Sequence, residues 1–266
     1  MKEQSIRISV VSYLNSKPFL RGLNSTTDSA TFIVSTDIPS VCAQKLLDDQ
    51  TDIGLIPVAM IPRLKEAHII SDFCIAADGK VESVLLVSQH PLEDIRQVIM
   101  DTESRTSVML AKILCRNHWH IQPAFISQQP GHDFSKPETI ASAVIIGDKA
   151  LQHRHRYNYV YDLAEAWKEY TGLPFVFAAW VSNKVIAPTR IAQLNKIFET
   201  GIQEIPQLSI ELANEYPYAD VQHYLQRNIR FVLSTQERKG LQLFLDQLKK
   251  FEAEESGPVI AAVDIK

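Results

Sequence analysis

The sequence predicts an α/β protein built as two lobes around a cleft, and three observations carry that prediction. Strand-like and helix-like segments alternate along most of the chain. Two extended apolar runs, residues 84–87 and 175–181, bracket a second α/β set, as paired crossovers between lobes would. Hydroxyl-rich turns stand at strand-to-helix junctions, the edge of an open α/β sheet where ligands collect.

Taken in order, Ile6-Arg-Ile-Ser-Val-Val11 reads as a short buried strand opening the first lobe. The turn Ser12-Tyr-Leu-Asn-Ser-Lys-Pro18 follows, with Pro18 where the first turn of a helix tolerates a residue lacking an N–H. Residues 31–34 are strand-like; Asp37 and Pro39 then introduce a helical run through Val41, Leu46 and Leu47. Residues 52–58 predict another buried strand, with Gly54 allowing close approach and Pro57 ending regular pairing. Residues 69–77 and 82–88 extend the pattern. The second set comprises residues 97–100, a Ser/Thr-rich turn with its helix, residues 123–126 and residues 143–148. The last third is mainly helical. Ile191, Leu194 and Phe198 share a face, and Ser234-Thr-Gln-Glu237 has capping-box spacing ahead of an apolar stripe of Leu241, Phe244, Leu245 and Leu248. That stripe belongs in a core. On this reading one lobe comprises residues 1–86 and 178–266 and the other residues 87–177, with crossovers near 83–88 and 175–181.

Composition sets the bounds. A chain of 266 residues can bury a substantial core and is long enough for two modest domains. A net charge of −4 argues against a nucleic-acid surface, so an anionic ligand needs local rather than global attraction. Cys42, Cys74 and Cys115 are few, odd in number and far apart, which predicts reduced thiols rather than a disulfide framework or a zinc ribbon. Met1-Lys-Glu-Gln-Ser-Ile6 carries no long apolar segment, and no later stretch approaches the length of a membrane span. A cytoplasmic protein without a membrane or nucleic-acid partner is expected.

Two turns are the candidate site. Asp101-Thr-Glu-Ser-Arg-Thr-Ser107 runs into Val108, Ala111 and Leu114 at helical spacing. A helix N-terminus leaves N–H groups unpaired and carries partial positive charge, which suits a carboxylate or phosphate. Ser104, Thr106 and Ser107 add donors there, and Arg105 adds a fork for a planar anion; alternatively Ser104 merely caps the helix. In the first turn Asn15 and Ser16 offer donors and acceptors, or the turn is simply capped with Lys17 in solvent. Ser83, opening the first crossover, stands either in the cleft wall or on a solvent-facing strand.

These segments resemble the menaquinone-biosynthesis chorismate dehydratases of the futalosine route. The resemblance lies in Ser12-Tyr-Leu-Asn-Ser-Lys-Pro18, Asp52-Ile-Gly-Leu-Ile-Pro-Val-Ala59, Ser104-Arg-Thr-Ser107 and Ile146-Gly-Asp-Lys-Ala-Leu151. Asp162-Leu-Ala-Glu-Ala-Trp167, Thr171-Gly-Leu-Pro-Phe-Val-Phe-Ala-Ala-Trp180 and Tyr224-Leu-Gln-Arg-Asn-Ile-Arg230 extend it over nearly the whole chain. Ser16 departs mildly from a common Thr and keeps the hydroxyl.

The resemblance implies a periplasmic-binding-protein-like fold of type II, two lobes with a hinged cleft, used for catalysis. It implies loss of water from chorismate to give 3-[(1-carboxyvinyl)oxy]benzoate, with the C4 hydroxyl departing and the C3 proton removed. It makes Asn15 and Ser83 the catalytic contacts and Ser104, Arg105, Thr106 and Ser107 the carboxylate binders. Gly147 and Asp148 are expected on a neighbouring loop lining the cleft. None of the eight His residues falls in these turns, and His118 and His120 are spaced so that they do not face each other as a metal pair. A reaction without metal or cofactor is expected, with the substrate's own enolpyruvyl carboxylate accepting the proton. The alternative is a solute-binding protein of the same fold that takes small anions without chemistry; such proteins usually carry an export signal or a lipid-attachment Cys, and the sequence shows neither.

Overall fold

The computed structural model describes residues 5–25, 31–101, 103–129 and 132–255; Thr102 of the second turn and residues 1–4 lie outside the described residues. The chain runs β1 (Ile6–Val11), α1 (Lys17–Ser25), β2 (Phe32–Asp37), α2 (Pro39–Leu47), β3 (Ile53–Pro57) and β4 (His68–Ala77). It continues through β5 (Val84–Ser88), β6 (Gln97–Met100), α3 (Arg105–Asn117), β7 (Ala124–Ser127), β8 (Ser142–Ile146), α4 (Gly147–His153), β9 (Tyr159–Asp162) and α5 (Leu163–Thr171). The last part comprises β10 (Phe175–Ser182), α6 (Pro188–Gln203), α7 (Ile205–Leu212), a short α8 (Val221–His223), β11 (Arg230–Val232) and α9 (Thr235–Glu255).

These elements form two mixed sheets. The first has strand order β11-β4-β10-β3-β1-β2 and the second β7-β6-β8-β5-β9. Each contains three neighbouring parallel strands, β2-β1-β3 and β7-β6-β8. Beside them runs one antiparallel strand arriving from the other lobe, β10 in the first sheet and β5 in the second. Such strands have neighbours on both sides and helices over their faces, so they are apolar throughout.

That is why the predicted lobe boundaries at 86/87 and 177/178 need correction. They cut through β5 and β10, but each strand belongs whole to one sheet. The chain changes lobe just before each, across residues 78–83 and through α5 with the turn at 172–174. An apolar run reads the same whichever lobe owns it, so pattern alone misplaces the crossing by a few residues.

An aromatic cluster fills the first lobe. Phe19 of α1 packs edge-on to Trp180 and Phe198, and Trp180 stacks on Phe198 with centroids 4.3 Å apart. Helices α1 and α6 approach closely because both lack side chains at the crossing. A Cβ on Gly22 would stand 2.1 Å from the Ile197 carbonyl oxygen, and one on Gly201 1.9 Å from that of Pro18. This contact fixes α1, and with it the turn ahead of it. The capping box does not close reciprocally: the Ser234 hydroxyl donates to the Glu237 carboxylate and accepts from Gln236 N instead. Leu241, Phe244 and Leu248 are buried behind it, with Leu245 partly so. Cys42, Cys74 and Cys115 are all buried and free. Among the described residues no helix is long and apolar enough to cross a membrane.

Candidate active site

Between the two sheets lies a narrow cleft with a cavity volume of about 50 Å³. Val11, Leu55, Ile75, Val84, Ile146 and Phe177 supply its apolar surface. Its polar surface comes from Tyr13, Asn15, Ser16, Ser83, Ser104 and Ser107. Among the described residues, no Asp, Glu, His, Lys or Arg lines it. The wall is neutral.

The first turn folds as a single 3-10 turn, Leu14–Ser16, that runs directly into α1. Leu14 is fully buried and anchors it, while Asn15 faces the cleft. The Ser16 hydroxyl donates to Asn15 Oδ1 at 3.2 Å and so fixes the amide's orientation.

Ser83 stands in the cleft wall rather than on a solvent-facing strand, and its placement is over-determined. The buried Asp162 carboxylate accepts from Val81 N and Glu82 N at 3.0 and 2.7 Å through one oxygen. Its other oxygen caps α5, accepting from Ala164 N and Glu165 N at 3.0 and 3.2 Å. Glu82 is held at φ 62°, a left-handed conformation that costs a non-glycine residue energy and persists only where surroundings enforce it. The Ser83 carbonyl accepts from Gly147 N at 2.8 Å, and its hydroxyl accepts from Tyr224 at 2.8 Å.

The second turn splits in two. Ser104 caps α3, accepting from Ser107 N at 3.3 Å, and both hydroxyls face the cleft, 3.1 Å apart. Arg105 and Thr106 do not join them. Thr106 is buried, with its hydroxyl accepting from Ala59 N at 3.1 Å, and Arg105 is exposed, lining a separate outer cavity with Arg63 and Met109. Helical periodicity is the reason. Residues three apart share a face and the two between them point elsewhere. A hydroxyl-rich string therefore puts only its first and last members in the cleft.

Gly147 and Asp148 form the first turn of α4, not a loop. Gly147 has φ 61°, and a Cβ there would sit 2.9 Å from the Tyr13 ring. Only glycine lets the two lobes meet at this point. Asp148 is absent from the cleft wall; its Oδ1 accepts from Leu14 N at 3.1 Å across the interlobe junction. Burial raises its pKa, partly offset by that N–H and by Lys17. Beside it the Tyr13 hydroxyl bonds Glu103, and Lys149 bridges Asp101 and Glu103 at 3.0 Å each. Burial foremost, and then Glu103, pushes the Tyr13 phenol upward, so it remains protonated. Among the described residues no three His, Cys, Asp or Glu side chains group as metal ligands would.

A family described as menaquinone biosynthesis matches over residues 6–250. The chain belongs to that family. Among its relatives is a chorismate dehydratase of Thermus thermophilus, 25% identical over 240 residues, covering 82% of this chain and 87% of the relative. A chorismate dehydratase of Campylobacter jejuni is 29% identical over 219 residues, covering 80% and 82%. In structure the chain is similar to a protein of Archaeoglobus fulgidus, with TM-score 0.76 and 11% identity over 95% of this chain and 99% of that one. It is also similar to the periplasmic aliphatic sulphonate binding protein SsuA of Escherichia coli, with TM-score 0.62 and 13% identity over 94% and 88%. The fold is thus the two-lobed α/β fold of periplasmic binding proteins.

Within this menaquinone biosynthesis protein, sequence reasoning passed over Tyr13, Asp162 and Tyr224 as site residues. Tyr13 lay inside the first turn, two residues before Asn15, and its position beside the cleft was the available signal. Asp162 and Tyr224 carried no local signal, because their partners lie 80 and 141 residues away.

Proposed function

We propose that this protein is a chorismate dehydratase of menaquinone biosynthesis, a hydro-lyase of the futalosine route acting in the cytoplasm. The single observation that carries the mechanism is the neutral wall. Chorismate brings two carboxylates, and the cleft offers hydroxyls, an amide and the positive end of α3 rather than counter-ions. With Asp148 engaged by Leu14 N and turned from the cleft, the described residues of the wall include no carboxylate or imidazole to act as base.

The substrate then supplies its own. Its enolpyruvyl carboxylate takes the C3 proton, the C3–H pair forms the ring double bond, and the C4–O bond breaks. The departing hydroxide leaves as water with the proton taken from C3. Aromatisation drives the step, so the protein's work is orientation and stabilisation of the leaving oxygen. Asn15 and Ser83 face that oxygen, while Ser104 and Ser107 receive a carboxylate at the start of α3.

Purified protein incubated with chorismate alone should yield a product lighter by one water, followed by chromatography and mass, with no added metal or nucleotide. Binding of chorismate without chemical change would instead identify a binding protein. Asn15→Ala should lower kcat by about 10²–10³-fold, the cost of removing one donor of this kind; near-normal turnover would remove Asn15 from the mechanism. Asp148→Asn, which keeps an acceptor for Leu14 N, should retain most activity, and loss of turnover with intact binding would identify an enzyme base.

A further inference from the structure

Tyr224 is buried and does not line the cleft, yet its hydroxyl touches Ser83, one of the two groups assigned to the reacting oxygen. Its hydroxyl donates to Ser83 Oγ at 2.8 Å, and Asn15 stands near enough to act on the phenol electrostatically. Asn15 Oδ1 already accepts from the Ser16 hydroxyl, and the Tyr224 phenol takes Ser83 Oγ as its acceptor. Ser83, now accepting from Tyr224, has its own hydrogen free on the cleft side.

We infer that Tyr224 is a positioning residue for the proposed dehydration, its phenol donating to Ser83 Oγ so that the Ser83 proton points at the departing hydroxyl. The inference rests on the chorismate dehydratase reading. With the Tyr224–Ser83 bond reversed, a lone pair of Ser83 would face the leaving oxygen and repel the charge that develops there. Local structure also sets Tyr224 apart. It opens a five-residue π-helical turn, Tyr224–Asn228, and such turns are rare and concentrate at functional sites. At the far end of that turn Asn228 Nδ2 donates to the Lys80 carbonyl at 3.0 Å. The turn is thereby tied to the 78–83 connection that carries Ser83. Burial pushes the phenol's pKa upward, so its hydrogen stays in place at any working pH.

The test is Tyr224→Phe, which keeps the ring and removes the hydroxyl, measured with chorismate beside Ser83→Ala and the double variant. Tyr224→Phe should leave KM within about twofold and lower kcat by about 10- to 100-fold, the effect of losing one oriented donor. In the Ser83→Ala background the same substitution should lower kcat by clearly less than it does in the wild type, because the route through Ser83 is gone. Wild-type kcat in Tyr224→Phe, independent multiplication of the two effects, or a raised KM with unchanged kcat would each overturn the inference. An unfolded Tyr224→Phe would make the hydroxyl a structural requirement and overturn it too. Failure of the wild type to dehydrate chorismate would count against the dehydratase reading instead, so the two failures are distinct.

Discussion

Asp162 shows how one carboxylate can hold a cleft wall together without entering it. Its two oxygens take two N–H groups ahead of Ser83 and two at the start of α5. Asp162→Asn replaces one acceptor with a donor and confronts a pair of buried N–H groups with another. It should cost about 2–4 kcal/mol of stability, read from urea denaturation, and lower kcat as the Glu82 backbone relaxes from its strained φ. An Asn variant of unchanged stability and rate would show that the clamp is dispensable. The neutral wall makes a second prediction at this scale. The proposed base, a substrate carboxylate, is ionised above about pH 5, so kcat should stay flat between about pH 6 and 9. A bell-shaped profile in that range would reveal a titrating enzyme group. Of the cleft residues, Asn15, Ser104 and Ser107 stand in turns that announce polar groups at sheet edges, whereas pattern left Ser83 open and only the family resemblance pointed to it. Arg105 and Thr106 were overread, since donors in sequence do not share a helix face.

Elements were legible where periodicity is strong and misread where it changes within one residue. Residues 143–148 looked like one strand, yet β8 stops at Ile146 and Gly147 turns the chain into α4 through a left-handed φ. A glycine with an apolar run before it gives no sign of which residue turns. The crossing of α1 with α6 was equally hidden, because Gly22 and Gly201 meet only in the fold. Gly201→Ala should destabilise by about 1–3 kcal/mol as the helices separate, and thermal denaturation would measure it; an unaltered midpoint would mean that the crossing yields freely. At the start of β1, Asp52 takes bonds from Arg7 Nη2 at 2.8 Å and Lys184 Nζ at 2.5 Å. Burial alone would raise its pKa, but Arg7 and Lys184 outweigh that and hold the carboxyl well below the usual range. Its native pKa therefore lies under its unfolded one. The stability it contributes is present above about pH 4 and disappears as pH falls through the native value. Asp52→Asn should remove about 1–2 kcal/mol at pH 7, a modest figure because both cations are half-exposed and screened. Its loss should shrink as pH drops below about 4. A loss that grows in acid would contradict the assignment.

Across the whole molecule, the lobes are joined over the cleft by a few polar contacts. Tyr13 bonds Glu103, Leu14 N donates to Asp148, and Ala59 N donates to Thr106. Removing two of these in Tyr13→Phe with Asp148→Ala should favour an opened form. Small-angle scattering of the ligand-free variant should then give a larger radius of gyration, and KM should rise more than kcat falls. Identical scattering from variant and wild type would mean that apolar packing alone sets the lobe angle. The two-lobed plan was visible in the sequence from its paired apolar runs, but these bridges were not, because each spans residues far apart in the chain.

The uncharged lining has one more consequence, which concerns the end of the cycle. The proposed substrate and product both carry two carboxylates, and among the described residues no ammonium or guanidinium lines the cleft to pair with either. Neither is anchored by an ion pair that must be broken before departure. Escape of the aromatic product then depends on the lobes parting rather than on salt, and added electrolyte should leave steady-state throughput nearly untouched.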